Sequence, residues 1–499
     1  MAVTEPEHLD VLIVGAGLSG VGAGSQLEMK CPGKSYAVLE ARDEIGGTWD
    51  LFRYPGIRSD SDMFTLGYAF RPWTEAKSIA EGPSILNYVR ETARAYGVDP
   101  RVRFGHRVVR AEWSTPASRW TVEVERGPER TIERLTCSFL FMCSGYYRYD
   151  EGYTPAFEGT ERFAGRIVHP QFWSDDVDYA GKRVVVIGSG ATAVTLVPSM
   201  AQSAAHVTML QRSPSYVVSL PARDPVADFV RPALPTKLAY SVIRWKNVLM
   251  TMLVFQLSRR RPRWVKALIR KGVERQLPAG YDVDTHFTPR YNPWDQRMCL
   301  VPDGDLFKAL SDGSASIVTD RIETFTETGL RLASGAELEA DLVITATGLN
   351  MQVLGGMRIA VDGRDVTISE RLSYKGLMLS GVPNLAFSIG YTNASWTLKC
   401  DLTCDYVCRL LNFMDERGYA QCVPECRTPV ETEPMIDFSS GYVQRSIHLF
   451  PKQAAEPPWR LYQNYPRDIR MLRHAPIDDE ALEFTRPGRP AEAIDPIAA

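Results

Sequence analysis

Val11-Leu-Ile-Val-Gly15-Ala-Gly17-Leu-Ser19-Gly20 is an apolar run that passes directly into a G-x-G-x-x-G turn. Consecutive apolar residues with no polar alternation suit a strand buried on both faces of a parallel sheet. In the turn, Gly15 makes the tight bend, Gly17 lets the backbone approach a pyrophosphate, and Gly20 permits close packing of helix on strand. The helix that follows aims its unsatisfied N–H groups and positive dipole end at that anion. The next strand, Ser35-Tyr-Ala-Val-Leu-Glu40, ends on an acid 20 residues beyond Gly20. A carboxylate there accepts hydrogen bonds from ribose hydroxyls. Residues 9–41 therefore read as a βαβ dinucleotide-binding unit.

The unit occurs twice. Val184-Val-Val-Ile-Gly188-Ser189-Gly190-Ala191-Thr192-Ala193-Val194 is a second strand and turn, with Ala193 in the third glycine's place. Alanine suits a helix set slightly further from its strand. The following strand ends Val207-Thr-Met-Leu-Gln211-Arg212-Ser213, so a cation and a hydroxyl stand where Glu40 stands in the first unit. A ribose 2′-phosphate requires a cation at that point and is repelled by an acid. The second nucleotide is therefore expected to be NADPH rather than NADH; a surface salt bridge is the other reading of Arg212. Phe139-Leu-Phe-Met-Cys143-Ser-Gly145 and Asp341-Leu-Val-Ile-Thr-Ala346-Thr347-Gly348 are strands that close on a glycine, one for each unit.

At 499 residues, with 44% hydrophobic and 23% charged residues, the chain has material for two to four domains with ample cores. A net charge of -3 offers nothing to nucleic acid. Nine cysteines without paired spacing read as free thiols of a reducing cytoplasm. Cys400, Cys404 and Cys408 recur at i, i+4, i+8 on one helix face. Small buried hydrophobes explain them better than a metal, because the intervals are not those of a zinc site. The acidic start, Met1 to His8, lacks an apolar signal core, and no stretch of about 18 apolar residues occurs, so a cytoplasmic protein is expected. The tail from Arg486 is rich in Pro and Ala and is expected to be disordered.

Residues 231–275 carry twelve Lys or Arg against one acid, Glu274, around the apolar run Val248-Leu-Met-Thr-Met-Leu-Val-Phe-Gln-Leu257. The first reading is a helical insertion over the substrate entrance with solvated charges. The second is a basic amphipathic helix on an anionic membrane surface, which would make the protein peripheral at the inner face of the cell membrane.

Between the two turns lies Phe163-Ala-Gly165-Arg-Ile-Val-His169-Pro-Gln-Phe-Trp173, and after the first unit Gly46-Gly47-Thr48-Trp49-Asp50-Leu51-Phe-Arg-Tyr54-Pro-Gly-Ile-Arg58-Ser59-Asp60. These segments resemble the type I Baeyer–Villiger monooxygenases of the flavin-containing monooxygenase family. Their fingerprint is F-x-G-x-x-x-H-x-x-x-W followed by Pro or Asp; Ser174 takes that last place here. Their second motif, [AG]-G-x-W-x-x-x-x-[FY]-P-[GM]-x-x-x-D, is matched at every fixed position. Ser144 to Tyr153, Thr392 to Lys399 and Trp459 to Asp468 look like the ethionamide-activating subgroup, and similarity runs from about residue 9 to 485.

The resemblance implies an α/β fold of two Rossmann-like domains. Residues 1–150 and 346–499 would bind FAD, and 151–345 would bind NADP, with a helical basic insertion at about 222–290. Gly47 and Thr48 to Leu51 would run along the flavin, Ser19 would join the first turn's contacts, and Val108 would hold adenine through its backbone. Arg58, Ser59 and Asp60 would approach NADP. Arg297, in Tyr291-Asn-Pro-Trp294-Asp295-Gln296-Arg297, aligns with the family's active-site arginine, and Asp60 would orient it. Gln296 replaces a family lysine that reaches the 2′-phosphate. Phe163, Gly165, His169 and Trp173 would position the domains. No metal is implied.

The implied activity is NADPH- and O2-dependent oxygenation through a C4a-peroxyflavin, turning ketones into esters and thioethers or thioamides into S-oxides. Guanidinium stays charged at any working pH and holds the peroxide's charge without losing a proton. Competing enzymes are an N/S-oxygenating monooxygenase without Baeyer–Villiger activity, for which Tyr or Phe would replace Trp173, an NADPH oxidase-like flavoprotein, and a flavin disulfide reductase. The last needs a Cys pair beside the flavin, and Cys422 and Cys426 lie far along the chain. A non-enzymatic NADPH sensor on a membrane is the remaining class.

Overall fold

The strand His8–Val14 lies between Tyr36–Leu39 and Thr131–Met142 and runs parallel to both. The computed structural model describes residues 5–487; the first four residues and most of the Pro/Ala-rich tail lie outside them. Val11 and Ile13 point into a core shared with the helices Leu18–Lys30 and Trp396–Arg417. Leu12 and Val14 point the other way, against Val108, Trp113 and Trp120. Burial on both faces is why the run carries no polar alternation. Antiparallel strands Arg119–Arg126 and His106–Ser114 extend the sheet, and Arg358–Val361 and Leu385–Phe387 rejoin it late in the chain.

The second sheet is wholly parallel, in the order Ala315–Thr319, His206–Gln211, Arg183–Ile187, Leu342–Thr345, Arg166–Val168. The duplication reaches individual bonds. Gly15 N–H donates to the Leu39 carbonyl at 2.7 Å, and Gly188 N–H donates to the Leu210 carbonyl at 2.8 Å. The two turns differ at their third position. A Cβ on Gly20 would lie 1.8 Å from the Gly15 carbonyl oxygen, whereas Ala193 fits its methyl fully buried. The short strands Tyr147–Gly152 and Leu349–Met351 pair where the chain crosses between the sheets.

The insertion leaves on Val217–Leu220 and returns on Cys299–Pro302, two parallel neighbours. Between them run helices Pro225–Val230, Thr236–Arg260, Pro262–Glu274 and Val283–Phe287. One of its cations is not solvated. Arg244 is buried, donates to the carbonyls of Phe64 and Gly67 at 2.8 and 2.7 Å, and pairs with Asp401 at 3.2 Å. Its guanidinium finishes the peptide groups that close the helix Met63–Leu66, so it clamps the insertion to the first domain. An antiparallel ribbon, Ile322–Thr326, Gly329–Leu332 and Glu337–Glu339, is an element the sequence reading had not foreseen.

Cys400, Cys404 and Cys408 are buried where Trp396–Arg417 packs on Leu18–Lys30. Cys400 Sγ lies 3.3 Å from Ser19 Oγ, and Cys31 Sγ reaches the Cys408 carbonyl at 3.7 Å. The stripe is helix packing. Among the described residues, no helix is long and apolar enough to cross a membrane.

Candidate active site

The first glycine turn is built to receive a diphosphate. The helix Leu18–Lys30 starts on Gly17 with no side-chain cap and no acid in its first turn, so its leading N–H groups remain for a ligand. Glu40 is buried; one carboxylate oxygen accepts from Ala16 N–H at 2.7 Å and the other from Arg42 N–H at 3.0 Å. Each oxygen keeps a lone pair for a ribose hydroxyl. Burial raises the Glu40 carboxyl above the usual range, against these backbone bonds. Beside it, Arg42 Nη1 is buried with no partner, an orphaned donor that an adenosine nucleotide would satisfy. The residues fit FAD.

The second motif folds back on this turn. Gly46 N–H donates to the Ala16 carbonyl at 3.1 Å, and the Thr48 hydroxyl lies 3.3 Å from that of Tyr149. Thr48, Trp49 and Leu51 form one helical turn here with Asp50. Asp50 does not offer its carboxylate to a ligand, because Arg42, Arg53 and Arg90 hold it at 2.6, 3.3 and 3.2 Å. The Ser19 hydroxyl is likewise engaged, accepting from Trp396 Nε1 at 2.8 Å. Val108 sends its side chain into the core, which leaves only its backbone for adenine.

The second turn is more open. The helix Ala191–Met200 begins on Gly190, uncapped, and apart from Gly190 itself and its chain neighbours nothing lies within 4 Å of where a Gly190 Cβ would stand. Ala193 and Val194 bury against the sheet, and Ala191 and Thr192 face outward or half outward. Ser189 Oγ donates to the Ser213 carbonyl at 3.0 Å, tying the turn to the strand end that carries Arg212. Arg212 and Ser213 are exposed, and Arg212 has no carboxylate partner among the described residues. These residues fit a phosphorylated dinucleotide. Arg290, which the sequence reading missed, is exposed in a segment drawn over this strand end. Gln211 Nε2 donates to the His286 carbonyl at 2.9 Å and the Tyr216 hydroxyl to the Tyr291 carbonyl at 2.7 Å. Two expected contacts are otherwise committed. The Arg58 guanidinium pairs with Asp305, and the buried Ser59 hydroxyl accepts from Ala80 N–H at 3.1 Å.

Arg297 and Asp60 do meet as an ion pair, with Arg297 Nε 2.8 Å from Asp60 Oδ2. Asp60 is the largest influence raising the guanidinium further above its usual range, and Tyr146, Tyr442 and Tyr147 add to it. Burial pushes the Tyr146 phenol up in turn. Tyr146 stacks tilted on Trp396, ring centroids 4.9 Å apart, and that indole bonds Ser19 in the first turn. Tyr146 is thereby linked to the FAD turn through the Trp396 ring. The sequence marks Tyr146 and Tyr147 only as part of the Ser144–Tyr153 resemblance, with no site role, and carries no signal for Tyr442.

Asp295 anchors the loop that carries Arg297. It accepts from Arg259 of the insertion at 2.9 Å and from Asn292 N–H at 2.9 Å, while its carbonyl accepts from Ser439. Phe255 packs edge-on against Trp294, centroids 5.7 Å apart, so the insertion braces this loop twice.

The His/Trp segment acts at the crossing between sheets. A Cβ on Gly165 would lie 2.5 Å from the Phe163 ring, and one on Gly152 would lie 2.3 Å from the His169 imidazole. Both glycines leave room for a ring. His169 Nδ1 accepts from Gln171 N–H at 3.2 Å, so Nε2 carries the proton and donates to the Gly348 carbonyl at 3.1 Å. Trp173 packs edge-on to Tyr179, centroids 6.2 Å apart. His169 thus touches both strands of the crossing, at Gly152 and beside Leu349.

Two dinucleotide turns and a guanidinium–carboxylate pair define a two-nucleotide flavoprotein. Residues 77–353 match the model of the flavin-binding monooxygenase-like family, and 13–76 match that of the NAD(P)-binding Rossmann-like domain. The chain belongs to the flavin-binding monooxygenase-like family and is an FAD-dependent monooxygenase. It is 57% identical over 487 residues to the FAD-containing monooxygenase EthA of Mycobacterium tuberculosis, covering 97% of this chain and 99% of that one. The EthA protein of Mycolicibacterium smegmatis is 54% identical, covering 96% and 98%. Among solved structures, an oxidised steroid monooxygenase bound to NADP superposes with a TM-score of 0.76 at 23% identity, covering 96% of this chain and 100% of that one. The cyclohexanone monooxygenase of Rhodococcus sp. Phi1 bound to NADP+ gives 0.70 at 20% identity, covering 85% and 87%. At these identities the likeness is one of fold.

Proposed function

We propose that the enzyme takes its electrons from NADPH and performs Baeyer–Villiger and sulfur oxygenation. Ketone, O2, NADPH and H+ would yield ester, NADP+ and water; a thioether or thioamide would yield its S-oxide. The observation that carries this reading is the Arg297–Asp60 pair. Bound FAD supplies the redox chemistry that activates dioxygen. Gly17 and the helix behind it hold its diphosphate, and Glu40 its ribose. Arg212 supplies the charge that a 2′-phosphate requires, with Arg290 drawn over the same strand end. Arg297 holds negative charge that develops on oxygen, and no step asks it for a proton. Asp60 orients that guanidinium. His169 sets the two sheets relative to each other.

Oxygen uptake with NADPH, scored against product from a simple ketone and from a thioether, tests the proposal. Both products in proportion to oxygen consumed are expected. S-oxide without any ester would assign the chain to the N/S-oxygenating class, and hydrogen peroxide alone to the oxidase class.

A further inference from the structure

All nine cysteines are free thiols, and two from distant parts of the chain meet. Cys31 closes the helix Leu18–Lys30, and Cys408 lies midway along Trp396–Arg417. Three contacts fix these helices against each other. Asn412 Nδ2 donates to the Lys30 carbonyl at 3.1 Å, Lys34 Nζ pairs with Asp415 at 2.7 Å, and Lys30 pairs with Asp405. Asp405, Asn412 and Asp415 stand at i−3, i+4 and i+7 from Cys408, so one helix face brings Cys408 to the end of Leu18–Lys30. As a neutral thiol Cys31 donates to the Cys408 carbonyl at 3.7 Å; ionised, it accepts from the Cys408 thiol instead.

Both thiols are buried, but Cys31 lies close to the surface. It opens a turn that Lys34 N–H closes on the Cys31 carbonyl at 3.0 Å, and Pro32 and Gly33 in that turn are exposed. The bond from Cys408, helped by Lys34 and Lys30, holds the Cys31 thiol below the usual cysteine range, against burial and Asp415. The other eight thiols are all pushed up, Cys408 chiefly by its bond to Cys31 and the rest chiefly by burial. A thiolate is the nucleophile in sulfur chemistry, so this chain carries one activated cysteine with a second thiol against it.

We infer that Cys31 and Cys408 are a peroxide-responsive dithiol, which hydrogen peroxide closes into a disulfide between the two helices. The Cys31 thiolate attacks one peroxide oxygen. The S–O bond forms, the O–O bond breaks, and hydroxide leaves as water with a proton from solvent. The Cys408 sulfur then gives up its proton and attacks the Cys31 sulfur. The S–S bond forms, the S–O bond breaks, and the second hydroxide leaves as water with that proton. Two thiols and one peroxide become one disulfide and two waters, sulfur losing the two electrons that peroxide gains. Reduced flavin that meets dioxygen without forming product releases this oxidant inside the enzyme, so the inference does not depend on the substrate proposed above. The disulfide would staple the helix behind the first glycine turn to the helix whose Trp396 bonds Ser19 of that turn.

The test treats FAD-loaded enzyme with hydrogen peroxide, alkylates the remaining thiols after denaturation, and maps the peptides by mass. The nine thiols should fall by two, with a loss of about 2 Da and one linked pair, Cys31 to Cys408, that dithiothreitol reopens. The unaltered protein gives this reading, so it stands even if a variant misfolds. Cys408→Ala should stop Cys31 at the sulfenic acid, trapped by dimedone, whereas Cys31→Ala should leave Cys408 unmodified. Oxidised holoenzyme should melt at a higher temperature and return on reduction, because the link joins residues far apart in the chain. Nine thiols surviving peroxide, or a link through Cys400 or Cys404 in place of Cys408, would overturn the inference. So would Cys31 carried to sulfinic acid with Cys408 still alkylated, which would show the two sulfurs held apart.

Discussion

Arg297 Nε and Asp60 Oδ2 stand 2.8 Å apart, one on the loop that returns from the insertion, the other at the end of the Gly46–Asp60 motif. The pair joins two segments far apart in the chain, and it is the arrangement most open to a direct test.

Arg297→Ala should still bleach the flavin with NADPH, because hydride transfer needs only that the two rings stack. It should yield almost no ester or S-oxide and release hydrogen peroxide in their place. Arg297→Lys should recover little, since a compact ammonium lacks the planar, delocalised guanidinium whose Nε meets Asp60. Asp60→Ala should lose less product than Arg297→Ala. Product assays beside peroxide assays decide the matter, and full product yield from Arg297→Ala would remove it from the chemistry.

Arg212→Ala should raise KM for NADPH about tenfold to hundredfold, the equivalent of about 1.5–3 kcal/mol for a charge-assisted hydrogen bond. KM for NADH should hardly move. An equal rise for both would show that Arg212 does not read the 2′-phosphate.

Gly20→Ala should cost the FAD site heavily, because its methyl would drive into the Gly15 carbonyl. Overpacking of this kind costs about 1–3 kcal/mol or more. Ala193→Gly in the second turn should cost only about 1 kcal/mol, a helix-propensity effect. Melting temperature and flavin content of the two variants compare these directly; equal losses would contradict the difference in packing.

Burial holds His169 below the usual histidine range, against its bonds to Gly348 and Tyr153. The unfolded chain takes up this proton near pH 6.5, the native one only lower. Below about pH 6.5 the unfolded state therefore binds more protons, and His169 costs stability as pH falls. His169→Gln should melt lower than the parent at neutral pH and lose less of its melting temperature on acidification. A steeper acid dependence in the variant would refute this.

Purified protein should be yellow and release FAD on heating. Release of FMN would contradict the role of Glu40, since FMN has no adenosine ribose to engage it.

The sequence alone determined the two nucleotide turns, their different third positions and the contrast of Glu40 with Arg212. Each is a contest among neighbours in the chain, where backbone sterics and one charge at a strand end settle the outcome locally. It also made Asp60 and Arg297 a pair, through motif resemblance. What only the tertiary structure decided is where side chains point once distant segments arrive. Asp50 turns to three arginines, Ser59 to Ala80 and Ser19 to Trp396, so residues of a binding motif spend their side chains on holding its loops. Periodicity showed the insertion to be basic and apolar, but not that Arg244 is a buried clamp or that one apolar face stays uncovered. A helix carries the same sequence whichever side it buries. The choice lies in the surface it packs against, and that surface comes from residues far away in the chain.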